Sequence, residues 1–164
     1  MTVRRCISWP DRRLSTAVSA ISNITDEIRE LWQDMIDTME AMPGVGLAAP
    51  KIGEMLQLVV IDASEIRGRA ILMANPVVLG SSSELSEYVE ASPNLLGVSA
   101  KVRRPKTVTV RFLNDSGIVD RRDFSGLWST SVQHQIDHLN GKMYFDNISK
   151  VRRDILLRKA RKNR

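Results

Sequence analysis

The sequence is poor in cysteine and histidine, and it has no long apolar run. A single cysteine, Cys6, excludes an internal disulfide framework and is typical of a reducing compartment, so we expect a cytoplasmic protein. No stretch approaches the roughly 18 consecutive apolar residues of a membrane-spanning helix, and the N-terminus lacks the apolar run of a secretory signal. We therefore expect no membrane partner.

What is present is typical of a soluble globular chain. Of the 164 residues, 43% are hydrophobic and 26% are charged, a composition that suits one domain with its own core. The net charge of +5 is unevenly distributed, because residues 151–164 hold seven Lys or Arg and one acid, whereas residues 1–150 carry −1. The sequence predicts a single domain over residues 1–150 and a basic C-terminal helix or tail over residues 151–164.

The basic tail has two interpretations. Clusters of Lys and Arg attract phosphate groups, and they bind nucleic acid by releasing counterions. The tail has no aromatic side chain on which a base could stack, and we expect no sequence-specific DNA binding. The alternative is a solvated terminal segment that frays and binds nothing.

Hydrophobic periodicity and turn residues divide the domain into short elements. Thr25 is a predicted N-cap, and apolar residues at steps of three and four predict a helix over residues 26–41. A second helix is predicted after Ser125, at about residues 126–140. Apolar and alternating runs predict strands over residues 56–61, 69–74, 107–112 and 118–124, with shorter extended segments over residues 77–79 and 87–90. Irregular structure is expected at residues 44–53 and 91–100, and a short helix near residues 14–21.

His134 and His138 are the two histidines of the chain, four residues apart within the second predicted helix. This spacing places both imidazoles on one helical face, where they can bind one metal ion, as in the zinc-protease motif H-E-x-x-H. That motif has a glutamate that moves protons, whereas here the residue is Gln135, whose amide does not titrate near neutral pH. Two histidines at this spacing also occur on ordinary helices, so the pair alone does not establish a metal site.

Three stretches, taken together, resemble the peptide deformylase family. They are Gly44-Val45-Gly46-Leu47-Ala48-Ala49-Pro50, Glu90-Ala91-Ser92, and His134-Gln135-Ile136-Asp137-His138-Leu139-Asn140-Gly141, in the order and spacing of that family. The resemblance implies an α+β fold, with short antiparallel sheets around a central helix that carries His134 and His138, and a C-terminal helix.

The resemblance also implies an activity and its partners. The family removes the formyl group from the N-terminal formylmethionine of nascent bacterial proteins, using a divalent metal, Fe2+ or Zn2+, held by two histidines and a cysteine. Its C-terminal helix docks on the ribosome, which would make the ribosome a partner of the tail 151–164 and the nascent peptide a ligand of the groove. The substrate-binding residues implied here are Gly44, Val45, Gly46, Leu47 and Glu90.

Four positions depart from the family pattern where the chemistry lies. Lys51 replaces the glutamine that binds the formyl oxygen, and Ser92 replaces the cysteine that binds the metal beside His134 and His138. Pro93 replaces a leucine whose backbone N–H serves the oxyanion, and Gln135 replaces the catalytic glutamate.

These replacements predict a weakened site. A serine hydroxyl is a much poorer metal ligand than a thiolate, so we expect the metal to be weakly held or absent. Pro93 has no N–H, and the loss of one oxyanion donor typically costs about 2.7–4 kcal/mol of barrier. We therefore expect an impaired or inactive deformylase that binds nascent peptides or the ribosome. Two alternatives stay open: an active metallo-hydrolase with an altered substrate or mechanism that uses Lys51, and a folded relic that binds nothing.

Overall fold

The computed structural model describes residues 2–163 and has an α+β architecture. Its helices are α1 (Asp26–Ala41), α2 (Gly126–Leu139) and α3 (Lys150–Lys162), and short 3-10 helices span Arg12–Ser15, Ala49–Ile52 and Tyr144–Asn147. The larger antiparallel sheet contains, in spatial order, β1 (Gly46–Ala48), β2 (Leu58–Ile61), β3 (Ile71–Ser81), β6 (Thr107–Leu113) and β7 (Val119–Ser125). A separate hairpin consists of β4 (Leu85–Ser92) and β5 (Leu95–Pro105). The α+β fold expected from the resemblance is confirmed.

The two long helices of the domain form where the sequence predicted them. The Thr25 hydroxyl accepts a hydrogen bond from the backbone N–H of Ile28 at 3.2 Å, which caps α1. Just beyond α2, Gly141 has a φ of 74°, and a Cβ there would lie 2.8 Å from backbone atoms of Ser15. Only glycine suits this position, so the end of α2 is tightly specified.

The predicted end of the strand at residues 69–74 is wrong. β3 continues to Ser81 through a register shift between Ala74 and Val77, which is a bulge rather than a stop. Asn75 adopts a φ of 51° within it. Its side chain accepts from the Ile21 N–H at 2.7 Å and donates to the Ile21 carbonyl at 2.8 Å, which ties the N-terminal segment to the sheet.

Residues 91–100 are not a loop, contrary to the prediction. β4 and β5 meet across a tight turn at Pro93 and Asn94, where Ser92 pairs with Leu95. The Pro, Asn and Gly content of this segment is typical of a loop, but its backbone pairs with β4, so β5 forms despite that composition. The predicted irregular segment at residues 44–53 likewise contains β1 and a 3-10 helix, and the helix expected near residues 14–21 is only the 3-10 turn Arg12–Ser15.

Each helix buries its apolar side in a separate cluster. α1 packs Trp32 and Met35 against β1 and β2, whereas α2 packs Val132 against β2, β3 and β6. α3 contributes Leu156 and Ala160 to a third cluster with β5. α2 thus lies in the interior, where it can present side chains to a site. Within residues 2–163, no helix is long and apolar enough to cross a membrane.

Candidate functional site

α2 carries both histidines into the interior of the molecule. His134 and His138 are buried, with ring centroids 5.1 Å apart, and Tyr144 stacks on His134 at a centroid distance of 6.1 Å. Burial lowers the pKa of both imidazoles well below the usual value, and the charges of Lys51 and Arg104 lower it further. Both rings are therefore neutral at pH 7.

A buried ion-pair network orients His134. Its Nδ1 lies 2.8 Å from Oε1 of Glu90, and because a carboxylate only accepts, the neutral ring donates from Nδ1. Arg104 donates to both oxygens of Glu90, at 2.7 and 2.9 Å, and to Oδ2 of Asp137 at 2.8 Å. The Nε2 atom of His134 therefore carries a lone pair, and no described residue bonds it. Both nitrogens of His138 also have no hydrogen-bond partner among the described residues.

The same network restricts Glu90. This side chain lies on the wall of the site, but both of its oxygens are occupied by Arg104 and His134. These bonds use three of the roughly four acceptor positions of the carboxylate, so direct substrate binding by Glu90, which the resemblance implied, would compete with a buried ion pair. Removing one partner of such a pair typically costs about 3–5 kcal/mol.

Ser92, at the position of the family's cysteine, is engaged in the turn between β4 and β5. Its hydroxyl donates to Oδ1 of Asn94 at 3.1 Å and accepts from the Asn94 N–H at 3.2 Å. The Asn94 amide in turn donates to the carbonyls of Ile7 at 2.6 Å and Lys51 at 2.9 Å. Asn94 therefore connects Ser92 to the segment that carries Lys51 through hydrogen bonds.

Lys51 places a buried positive charge at this site. The residue is only 2% exposed, and its ammonium group forms no hydrogen bond or ion pair with any residue in the described range 2–163. Burial lowers the pKa of Lys51 to about 8, although Cys6 and Glu90 raise it in part. Lys51 is therefore still mainly a cation at pH 7, and its charge acts on both histidines.

β1 approaches α2 closely at Gly46. A Cβ on Gly46 would lie 2.6 Å from Oγ of Ser131 and 2.7 Å from Nε2 of Gln135. The Ser131 hydroxyl donates to the carbonyl of Val45 at 2.8 Å. The Oε1 atom of Gln135 is buried and has no hydrogen-bond partner in the part of the chain that the structure describes. A glycine is required at position 46 because the backbone of β1 packs directly against side chains of α2.

A groove of about 580 Å3, here called the site groove, runs along these groups. It brings together stretches that are distant in sequence, and its apolar lining residues include Met42, Leu96 and Leu127. The predicted site residues that line it are Gly44, Val45, Gly46, Lys51, Glu90, Ser92, Pro93, His134 and Gln135.

Leu47 and His138 are the predicted site residues that do not line the groove. The side chain of Leu47 packs beneath α1, because alternate residues of β1 face opposite sides of the sheet. Its side chain is buried in the cluster beneath α1, and the role of Leu47 in substrate binding stays a prediction. His138 is fully buried behind His134.

The residues at the histidine pair do not match the donor set of the family's metal site. His134 and His138 retain unpartnered imidazole nitrogens, but Ser92 offers a neutral hydroxyl already bonded to Asn94. The Lys51 ammonium opposes a second cation electrostatically. Across residues 2–163, no group of three or more His, Cys, Asp or Glu side chains is arranged to hold a metal ion. The residues present therefore do not fit the family's divalent metal.

Two residues that organise the site were not predicted. Arg104 lies two residues after Val102, on the same buried face of β5, and a charged residue at a buried strand position was the available signal. Asn94 follows a proline in a turn, a context in which asparagine often bonds the local backbone. Its bonds to Ile7 and Lys51 are long-range and leave no local trace in the sequence.

Comparison with known proteins agrees with this geometry. The family model for polypeptide deformylase matches residues 3–154. The peptide deformylase of Rhodopseudomonas palustris (strain TIE-1) is 39% identical over 168 residues, which cover 99% of this chain and 95% of that protein. The peptide deformylase of Afipia carboxidovorans is 37% identical over 164 residues, which cover 99% and 96%.

Solved structures show the same relationship. A peptide deformylase from Legionella pneumophila has a TM-score of 0.91 at 34% identity, and the match covers 98% of this chain and 95% of that one. The peptide deformylase of Ehrlichia chaffeensis in complex with actinonin has a TM-score of 0.92 at 29% identity, with 99% and 98% covered. The chain therefore belongs to the polypeptide deformylase family.

Proposed function

We propose that this protein binds formylated N-terminal peptides in the site groove, holds metal weakly or not at all, and hydrolyses the formyl group poorly or not at all. Family membership supports the substrate class. The replacements Lys51, Ser92, Pro93 and Gln135 support the loss of hydrolysis. The alternative of an altered metallo-hydrolase has no observation in its favour.

The observation that carries the proposal is the ammonium of Lys51, which belongs to a residue only 2% exposed, lines the site groove and has no hydrogen-bond or ion-pair partner among the described residues. A cation that is largely withdrawn from water without a partner is costly, and an oxygen acceptor from a ligand would reduce that cost. The carbonyl of a formyl group is such an acceptor. The adjacent formamide N–H would find an acceptor in Nε2 of His134 or Oε1 of Gln135, which have no partner among the described residues. A formamide thus supplies both kinds of group that the site requires.

The same charge would discriminate against the deformylated peptide. A free N-terminus carries an α-ammonium group, which would be brought close to the cation of Lys51 in a site of low dielectric. We expect formylated peptides to bind at least about tenfold more tightly, a difference of about 1.4 kcal/mol. This preference follows from charge and does not depend on a metal.

Hydrolysis would require groups that these residues do not provide. Gln135 cannot relay a proton, and a positioned acid–base group typically contributes about 10²–10⁴-fold to the rate. Pro93 cannot donate from its backbone nitrogen, and loss of one oxyanion donor costs about 10²–10³-fold. Combined effects are not additive, but they act in one direction.

The test is to measure binding and turnover on one preparation. Fluorescence anisotropy with labelled formyl-Met-Ala-Ser and Met-Ala-Ser gives the preference, and formate release with added Fe2+, Co2+ or Zn2+ gives the activity. We expect saturable binding of the formylated peptide and negligible formate. Turnover within about a hundredfold of an ordinary deformylase would contradict the proposal, since the losses above exceed that factor. Lys51→Gln, which restores the family residue, is the matched control and should lose the preference for the formyl group.

A ribosomal partner and a cytoplasmic location also stay proposals. Exposed cations on α3, such as Arg158 and Lys162, support attraction to ribosomal RNA. Deleting residues 151–164 would remove Leu156 and Ala160 from the core, so charge removal is the better test. Arg158→Gln with Lys162→Gln should reduce salt-sensitive co-sedimentation with ribosomes, whereas Arg111→Gln on β6 should not. Equal co-sedimentation of all three proteins would contradict ribosome binding through α3.

A further inference from the structure

A second groove, of about 690 Å3, lies between the β4–β5 hairpin and α3. We call it the helix groove. Its apolar surface includes Val89 and Ile155, whose residues are 64% and 60% exposed, and its cations are Lys101, Arg152 and Lys159. No carboxylate is among its lining residues in the described part of the chain. Exposed apolar side chains beside charge of one sign make the helix groove a candidate binding site.

The helix groove is continuous with the site groove. Val89, Gly97 and Val98 line both. Leu96, which lines the site groove beside them, is 74% exposed. A peptide that leaves the site groove along these shared residues therefore enters the helix groove directly.

The cations of α3 have a defined spacing. Arg152, Ile155 and Lys159 lie at i, i+3 and i+7, so they share one face of the helix. The Arg152 guanidinium donates to the Lys101 carbonyl at 2.8 Å, which holds this cation on β5 at the rim. Arg152 and Lys159 are separated by seven positions, or roughly 10 Å along the helix, with Ile155 between them.

We infer that the helix groove binds the downstream residues of the peptide whose N-terminus occupies the site groove, and that it selects an extended segment with an apolar residue between two carboxylates. A distance of roughly 10 Å corresponds to about three residues of extended chain, so the carboxylates should be about three residues apart. This inference names the ligand class of the proposed function and rests on it for the position of the N-terminus.

A peptide fits these features better than a nucleic acid does. Phosphates would satisfy Arg152 and Lys159 but would leave Val89 and Ile155 uncovered, and no aromatic side chain lines the groove to stack on a base. An acidic and apolar peptide satisfies both the cations and the apolar surface. RNA binding is therefore an outcome to be tested against the inference.

The experiment compares three formylated probes on the full-length protein. They are formyl-Met-Ala-Ser, a longer peptide that continues through a Gly-Ser spacer to Asp-Leu-Ser-Asp, and a matched peptide ending in Asn-Leu-Ser-Asn, with spacers of one, three and five residues. At the best spacer length we expect the Asp peptide to bind about tenfold more tightly than the Asn peptide, because only the Asp peptide forms the two ion pairs. Both longer peptides share the apolar contact of the leucine, which formyl-Met-Ala-Ser lacks.

Two charge-reversal variants assign the effect to the groove. Lys159→Glu should abolish the advantage of the Asp peptide and leave the affinity for formyl-Met-Ala-Ser unchanged. Arg158→Glu is adjacent and exposed but does not line the groove, so it should change the Asp peptide affinity by less than about threefold, through screened long-range charge alone.

Three outcomes would overturn the inference: equal binding of the Asp and Asn peptides at every spacer length, equal effects of Lys159→Glu and Arg158→Glu, or displacement of the Asp peptide by a short oligouridine with no preference for Asp over Asn. Failure of the proposed function can be distinguished from failure of this inference. If formyl-Met-Ala-Ser does not bind but the Asp preference persists and is lost in Lys159→Glu, the helix groove stands as a peptide site and the site groove does not.

Discussion

The ammonium of Lys51 and the imidazole of His134 line the same groove, and beyond the effect of burial, the charge of Lys51 lowers the pKa of His134. In the family that this chain belongs to, a glutamine is expected where Lys51 stands, and a metal ion is expected at the histidines. Here the side chain of Lys51 places a positive charge in that groove. The Ser92 hydroxyl bonded to Asn94 and the neutral amide of Gln135 support the proposal that this charge stands in place of the metal.

Lys51 should destabilise the fold at neutral pH. Its folded-state pKa is about 8, below the value of about 10.4 in an unfolded chain, so the unfolded state binds more protons between these values and wild-type stability rises with pH there. We expect Lys51→Met to be more stable by about 3 kcal/mol at pH 7, with the difference shrinking towards pH 10. Urea unfolding of both proteins at pH 7, 9 and 10 measures this. A difference independent of pH would show that the Lys51 charge is not penalised by burial.

Arg104 should be essential for stability, because it neutralises Glu90 in the interior. Arg104→Met leaves that carboxylate buried without its ion-pair partner, which should cost about 3–5 kcal/mol. Arg103→Met is the matched control, since Arg103 pairs with Glu87 on the surface and should cost less than about 1 kcal/mol. Thermal or urea unfolding distinguishes the two. Similar losses for both variants would mean that the buried network does not hold the site together.

Gly46 should tolerate no side chain, although its backbone is unstrained. A methyl group in Gly46→Ala would overlap Ser131 and Gln135, and overpacking of this kind typically costs about 1–3 kcal/mol. Gly44→Ala is the control, because the nearest atoms to its Cβ would be 3.8 Å away. We expect Gly46→Ala to lose both stability and affinity for formyl-Met-Ala-Ser. If it matches Gly44→Ala in both respects, the close contact between β1 and α2 is not as tight as described.

The parts of this fold that sequence analysis predicted are those decided by neighbouring residues. α1 follows from the Thr25 cap and a regular apolar period, and α2 follows from a similar pattern that ends near Gly141. The course of β3 past Asn75 and the start of β5 at Leu95 depend on strands paired from elsewhere in the chain, so local composition gave the wrong boundaries.

The site likewise has features that sequence analysis predicted and features that it did not. The family resemblance of the three motif stretches implies that they form one site, and residues of all three line the site groove. The burial of Lys51 without a partner, and the use of the Ser92 hydroxyl by Asn94, depend on packing between distant segments. These two features are the physical basis of the proposal that metal is held weakly, and local sequence does not reveal either of them.

The most direct test is the metal content of the protein purified without added metal, measured beside the triple variant Lys51→Gln, Ser92→Cys, Gln135→Glu. The variant removes the opposing charge and restores the thiolate and the proton shuttle, so it should bind about one metal ion per chain and release formate from formyl-Met-Ala-Ser. The account predicts that the native protein binds formyl-Met-Ala-Ser with far less than one metal ion per chain. Stoichiometric metal in the native protein would contradict it, because the Lys51 charge would then not have replaced the metal.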